Sequence, residues 1–259
     1  MINNVKLRKF IIRIPFSVSI YYLLVSLANW PKYIHDLVAF KRMAAPQNRF
    51  PIKFIDLFPS LRDNTKTTPF DPHYTYHPAW AARVVAEFKP EFHVDISSSI
   101  HFSTIVSAFI PVKFFDYRPA ELNLPGMTSE RADLLSLPFG DNSVRSISCM
   151  HTIEHVGLGR YGDKLDPDGD IRAINELKRV LSPGGVLIFV VPISGRSRIE
   201  FNSHRYYSYS QIMEYFSDVR LKEFSLIPDN ARTIGMIKNA SKEQSDAQDH
   251  GCGCFVFTK

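Results

Sequence analysis

"AINELKRVLSPGGVLIFVVP", residues 173–192, changes period halfway along. From residue 171, apolar side chains fall at Ile171, Ile174, Leu177, Val180 and Leu181. That three-and-four spacing marks one face of a helix. Pro183 and Gly184 stop it. Residues 185–193, "GVLIFVVPI", then form the most apolar run of the chain. An unbroken apolar run of this length reads as a strand covered on both faces. A helix feeding a doubly covered strand is the repeating unit of a parallel α/β sheet.

The same alternation extends in both directions. Residues 92–96, 112–116 and 144–150 read as strands, with a short apolar helix over 100–110. Downstream, residues 208–217 read as a helix begun by Ser208 or Ser210. Residues 219–227 and 251–259 are the last two strands, separated by a polar, mobile insert at 238–250. Upstream, 78–90 reads as a helix with Pro78 in its first turn and Pro90 after its end. The expected fold is α/β: a Rossmann-like, mostly parallel sheet with helices on both faces, a terminal antiparallel strand and an N-terminal helical extension. Residues 1–50 make the extension, 51–77 a proline-rich linker and 78–259 the Rossmann-like domain.

The 259 residues suffice to bury a sizeable core. A net charge of +5 and a pI near 9.0 are mildly basic. No dense Lys/Arg stripe interleaves with aromatics, so no nucleic-acid partner is expected; the charge suits an anionic substrate or an acidic membrane surface. Three cysteines, Cys149, Cys252 and Cys254, make no disulfide framework. They point to a reducing, cytoplasmic compartment. "HGCGC" at 250–254 pairs His250 with two thiols, but no second ligand pair has zinc spacing. It reads as a glycine-flanked turn into the last strand, and no metal is expected. Residues 157–170 carry Asp163, Asp166, Asp168 and Asp170 without the ligand order of a calcium loop; they read as a mobile lid ending in a helix cap.

Residues 10–28, "FIIRIPFSVSIYYLLVSLA", are strongly apolar behind a basic "KLRK". Arg13 and Pro15 interrupt the run early, against a spanning helix. A helix packed on the protein body, a surface-lying helix anchored by Trp30, Lys32, Tyr33, Lys41 and Arg42, and a secretion signal all remain open. The surface-lying reading makes residues 10–28 a peripheral membrane contact.

Two linked segments carry more than periodicity. "ADLLSLPFGDNSVRSISCMHTIEHVG" followed by "AINELKRVLSPGGVLIFVVP" resembles the class I S-adenosylmethionine-dependent methyltransferases. The resemblance covers about residues 92 to 228. Within that superfamily the chain resembles a domain-of-unknown-function branch with a serine-rich first motif, similar to proteins found with surface-glycan biosynthesis. It implies S-adenosylmethionine as cofactor and a small or glycan-linked acceptor, methylated at oxygen. Asp95, Ser97 and Ser99 fall on the first cofactor loop. Asp116 falls on the carboxylate that takes both ribose hydroxyls. Asp133 and Leu134 fall where adenine is read, and His151 where cofactor and acceptor meet. Glu154, His155 and His204 are candidate bases, since a hydroxyl acceptor needs its proton removed. Arg205 and Tyr206 are candidates for holding the acceptor.

The first loop departs from the family. Glycine is expected where the backbone turns left-handed, and this chain has Ser97, Ser98 and Ser99. Serine pays a steric cost there but adds hydroxyl donors. Either the serines help hold the cofactor, or they fill its place and leave a cofactor-free binding or scaffold protein of glycan assembly.

Overall fold

The structure, a computed structural model, describes residues 17–45 and 50–259. Two compact units separate at Met1–Pro69 and Phe70–Lys259. In the first, α1 (Ser17–Ala44) holds Pro31 inside it and ends on Lys41 and Arg42, cations that suit a helix C-terminus. Asn29 Nδ2 donates to the Leu61 carbonyl at 2.7 Å, and the Arg62 guanidinium lies 4.6 Å from the Tyr22 ring centroid, so the residues around 60 return to this helix. Leu23, Leu24, Leu27 and Phe40 are exposed along it. No helix of the described residues is long and apolar enough to cross a membrane. Arg13 and Pro15, with residues 10–16 of the apolar run and Pro46, lie outside the described residues.

The second unit begins with α2 (Pro72–Phe88), six residues before the expected start. Asp71 caps it, accepting from Tyr74 N, and Pro72 rather than Pro78 takes the first helical position. Then come β1 (His93–Ile96), α3 (Ile100–Val106), β2 (Val112–Asp116), β3 (Met127–Arg131) and β4 (Val144–Met150). α4 (Gly169–Val180) feeds β5 (Leu181–Ile193), as the change of period requires. A separate hairpin, β6 (Arg198–Glu200) with β7 (His204–Tyr206), precedes α5 (Tyr209–Tyr215). Ser208 and Gln211 form a capping box at α5. β8 (Arg220–Ile227), α6 (Ala231–Ile234), α7 (Lys242–Asp246) and β9 (Gly251–Thr258) complete the chain.

The main sheet runs β3-β2-β1-β4-β5-β9-β8. The pairs from β3 through β5 are parallel, and β9 enters antiparallel between β5 and β8. This is the expected mostly parallel sheet with a terminal antiparallel strand. Along β5, Leu187, Phe189, Val191 and Ile193 join one core with α4 and α5, while Val186, Ile188 and Val190 join another with α2 and α3. Both faces of the strand are therefore covered, which is why its sequence does not alternate. Chain order reverses between β1 and β4, the place where open α/β sheets bind ligands.

Three features differ from the sequence reading. β3 is an edge strand with mostly exposed side chains, so it lacks an apolar signal. The hairpin β6–β7 is also new. The insert read as mobile at 238–250 instead carries α7, held by a Ser241–Gln244 capping box. Asp229 secures its far end, accepting from Asp249 N and His250 N at 2.9 and 2.8 Å.

Candidate functional site

Both central strands run into a residue held left-handed. Ser97, after β1, has φ 55°, and His151, after β4, has φ 56°. Such a conformation costs non-glycine residues about 1–2 kcal/mol and persists only where surroundings impose it. At Ser97 they do. Its N–H and Oγ both donate to the Phe115 carbonyl, at 2.7 and 3.2 Å, and Thr152 Oγ1 donates to the Ser97 carbonyl at 2.9 Å. Ser98 Oγ accepts from Met150 N at 3.0 Å. The serine hydroxyls are thus spent on the backbones of β2 and β4. The loop is fastened open beside a cavity of about 560 Å³, within the ~300–1,000 Å³ of small-molecule sites. Ser97 lines that cavity; Ser99, the first residue before α3, does not, and its side chain makes no cap.

Asp116 and Asp133 line the cavity in the same way. Asp116 Oδ1 accepts from Arg118 N at 2.7 Å, and Asp133 Oδ1 from Leu135 N at 2.9 Å. Each makes an Asx turn two residues on. Each keeps its second oxygen without a hydrogen-bond partner among the described residues. The Leu134 side chain is buried beside them. Asp95 goes elsewhere. It is fully buried beneath the loop, where Ser103 Oγ donates to Oδ2 and Ser148 Oγ to Oδ1, the latter at 2.5 Å.

Burial raises the Asp95 pKa from 3.8 to about 6, against the lowering effect of the serine donors. Between those two values the folded chain keeps a proton that the unfolded chain has released. This contribution to stability is full below about pH 4 and is lost as pH rises through about 6. Asp95→Asn removes the titration. Its unfolding free energy from urea titration is expected to gain on the wild type's as pH rises from 4 to 7, by no more than about 3 kcal/mol. A difference independent of pH would contradict this assignment.

After β4 the cavity wall is His151, Thr152 and His155. His151 Nδ1 lies 2.9 Å from Glu154 Oε1 and Nε2 3.3 Å from Cys252 Sγ. Burial disfavours charge on His151, but the Cys252 sulfur and the Glu154 carboxylate outweigh it and raise its pKa to about 10. Burial also pushes the Cys252 thiol up, against the lowering effect of His151 beside it. His155 is the opposite case. Burial lowers its pKa, and its Nδ1–H donates to the Ser203 carbonyl at 2.6 Å, leaving the lone pair on Nε2. Glu154 is buried behind both, with Oε1 3.8 Å from His155 Nε2 and Oε2 without a hydrogen-bond partner among the described residues.

The remaining candidates do not line the cavity. His204, with its pKa lowered by burial, meets Ser203 Oγ at 2.8 Å through Nδ1. Tyr206 meets His250 Nδ1 at 2.5 Å and lies under the Arg198 guanidinium. Arg205 is buried and donates to the carbonyls of Val156, Asp166 and Pro167. Three further basic side chains line the cavity, Arg118, Lys164 and Arg172, none of them expected. Arg118 stacks on Tyr161, whose ring centroid is 4.6 Å away, and Arg172 pairs with Asp166. The segment read as a mobile lid supplies Gly157, Tyr161, Asp163, Lys164, Leu165 and Asp166 to this wall. Asp163 ties it down, accepting from the N–H groups of Gly157, Gly159 and Tyr161.

The fold is that of a Rossmann-like domain with a cavity at its switch point. Residues 141–246 match the family described as "Caenorhabditis protein of unknown function, DUF268". No curated protein matches the sequence. Among solved structures, the chain is similar to the MccD protein, at 14% identity over 71% of this chain and 99% of that one, TM-score 0.48. It is similar to a TehB-like SAM-dependent methyltransferase from Corynebacterium glutamicum, at 13% identity over 88% and 99%, TM-score 0.45. It is also similar to the [4+2]-cyclase SpnF, at 13% identity over 70% and 81%, TM-score 0.48. Identities this low assign no residue.

Proposed function

We propose that the cavity binds S-adenosylmethionine and that the protein is a methyltransferase acting on a small or glycan-linked acceptor at oxygen. The observation carrying this reading is the pair of carboxylates at neighbouring strand ends. Asp116 and Asp133 each spend one oxygen on their own turn and keep the other for a ligand. A carboxylate suits a ribose diol because its oxygens accept two O–H donors. The cofactor-free alternative asks the serines to occupy the ligand's place, and here Ser97 and Ser98 spend their hydroxyls on backbone groups.

A bound sulfonium cofactor supplies an already activated methyl group for in-line displacement. The chain's own residues then have to align an acceptor, exclude water and take its proton. His155 fits the base. Its tautomer is fixed by Ser203, it is neutral at pH 7, and Glu154 steadies the ring once it is charged. Lys164 and Arg118 on the cavity wall suit an acceptor bearing phosphate or carboxylate.

Calorimetry tests the reading. S-adenosylmethionine or its demethylated product is expected to bind at one site per chain, and no heat at millimolar ligand with folded protein would remove the proposal. In His155→Asn the cofactor is expected to bind unchanged while turnover falls about 100-fold, the low end for loss of a general base.

A further inference from the structure

On the α2 side of His151 stands a second group of side chains that the proposed transfer does not use. α2 carries His73 and His77 one turn apart, and β9 carries Cys252 and Cys254 two residues apart on one face. A ring nitrogen of His73, one of His151 and the Cys252 sulfur all lie within 4.8 Å of one another. Cys252 Sγ is 3.3 Å from His151 Nε2 and 3.9 Å from Cys254 Sγ. Around a tetrahedral zinc, with sulfur at about 2.3 Å and nitrogen at about 2.0 Å, those separations would be about 3.5 and 3.8 Å. Both pairs already stand near ligand spacing.

The surroundings are those of a ligand set. Glu154 Oε1 accepts from His151 Nδ1, which leaves Nε2 aimed at the sulfur. The His73 ring stacks on that of His250, with centroids 4.9 Å apart. A carboxylate partner such as Glu154 fixes the tautomer and angle of a metal-binding imidazole. The ring of His77 lies 5.0 Å from that of His151, and its buried Nε2 has no hydrogen-bond partner among the described residues. A hydrogen bond now joins Cys252 Sγ and His151 Nε2; a divalent ion would replace it, with the protons on the sulfur and on Nε2 released to solvent. Two imidazoles and a thiolate favour a borderline-soft ion over magnesium or calcium. The sulfur, base and carboxylate also fall in the order of a thiol nucleophile's triad. Cys252 is fully buried and does not line the cavity, so no substrate reaches it there.

We propose that His73, His151 and Cys252 form a binding site for a divalent ion of the zinc class, with the Cys254 sulfur beside it as the nearest further donor. The ion would join α2, β4 and β9 behind the cavity, whatever the cavity binds. The full chain, incubated with zinc and gel-filtered, is expected to retain about one zinc per chain by mass spectrometry. Cys252→Ser and His73→Ala are expected to retain almost none, and Cys149→Ser, outside the cluster, to retain it all. Cobalt added to the wild type is expected to give a thiolate-to-cobalt charge-transfer band, a readout that needs no variant to fold. Zinc-free wild-type protein without that band would overturn the proposal. So would full zinc content in both folded variants, or a metal-free Cys252 that iodoacetamide alkylates readily in the native protein.

Discussion

Asp116→Asn is expected to weaken binding of the demethylated cofactor at least about 100-fold while leaving the protein folded. Asparagine keeps an oxygen to accept from Arg118 N, so the turn at the end of β2 survives. It loses the charge, and it replaces the free acceptor oxygen with a donor. Two hydrogen bonds to a charged group contribute about 1.5–3 kcal/mol each, so their loss is worth about 3–6 kcal/mol. The lower figure is already more than two decades in affinity. Asp133→Asn is the control, since an adenine amino group donates one bond, not two, and the smaller loss is expected there. Calorimetry on the three proteins measures the order. Equal affinity of wild type and Asp116→Asn would mean that the cavity grips its ligand elsewhere, and the cofactor assignment would fall.

Strand tips were legible because a parallel sheet makes each strand a single apolar burst with one polar residue at its end. Asp116 could be found that way; Asp133 follows a strand without an apolar burst and came only from the family resemblance, and the structure brings both to one cavity. Asp95 has the same sequence signature, yet its side chain enters the sheet, because alternate residues of a strand face opposite sides and Ser103 and Ser148 wait on that side. Sequence does show that Ser97 occupies a glycine position; it does not show that the hydroxyl folds back onto Phe115. The histidine and cysteine cluster was hidden by a boundary. Pro78 looks like a first-turn proline, and reading the helix from there leaves His73 and His77 in a linker. With Asp71 as the cap, they become an i, i+4 pair on a helix face. Arg118 and Lys164 carry no signal, since they sit on loops whose path depends on the Asx turn at Asp116 and on Asp163 gathering three amides.

Arg205, expected to hold the acceptor, donates instead to backbone carbonyls of the loop before α4. Arg205→Ala is expected to cost about 3–5 kcal/mol of stability, the usual range when one partner of a buried ion pair is removed. The guanidinium fork donates to Val156 O at 2.6 Å and Pro167 O at 3.1 Å, with Nε 3.5 Å from Asp170 Oδ2. Truncation leaves those carbonyls unpaired and Asp170 buried with only the Tyr207 hydroxyl, which donates at 2.8 Å. Asp170 lies in the first turn of α4, where the helix end favours negative charge, so the lower part of the range is expected. For a unit of this size, about 3 kcal/mol lowers the melting temperature by roughly 6–12 °C. Arg205→Lys is expected to recover little, because a single ammonium cannot span carbonyls that a planar fork reaches together. Thermal unfolding followed by circular dichroism separates the two roles: a melting temperature within a degree of wild type, with acceptor KM raised, would return Arg205 to substrate binding and require the loop from Val156 to Pro167 to be held by other groups.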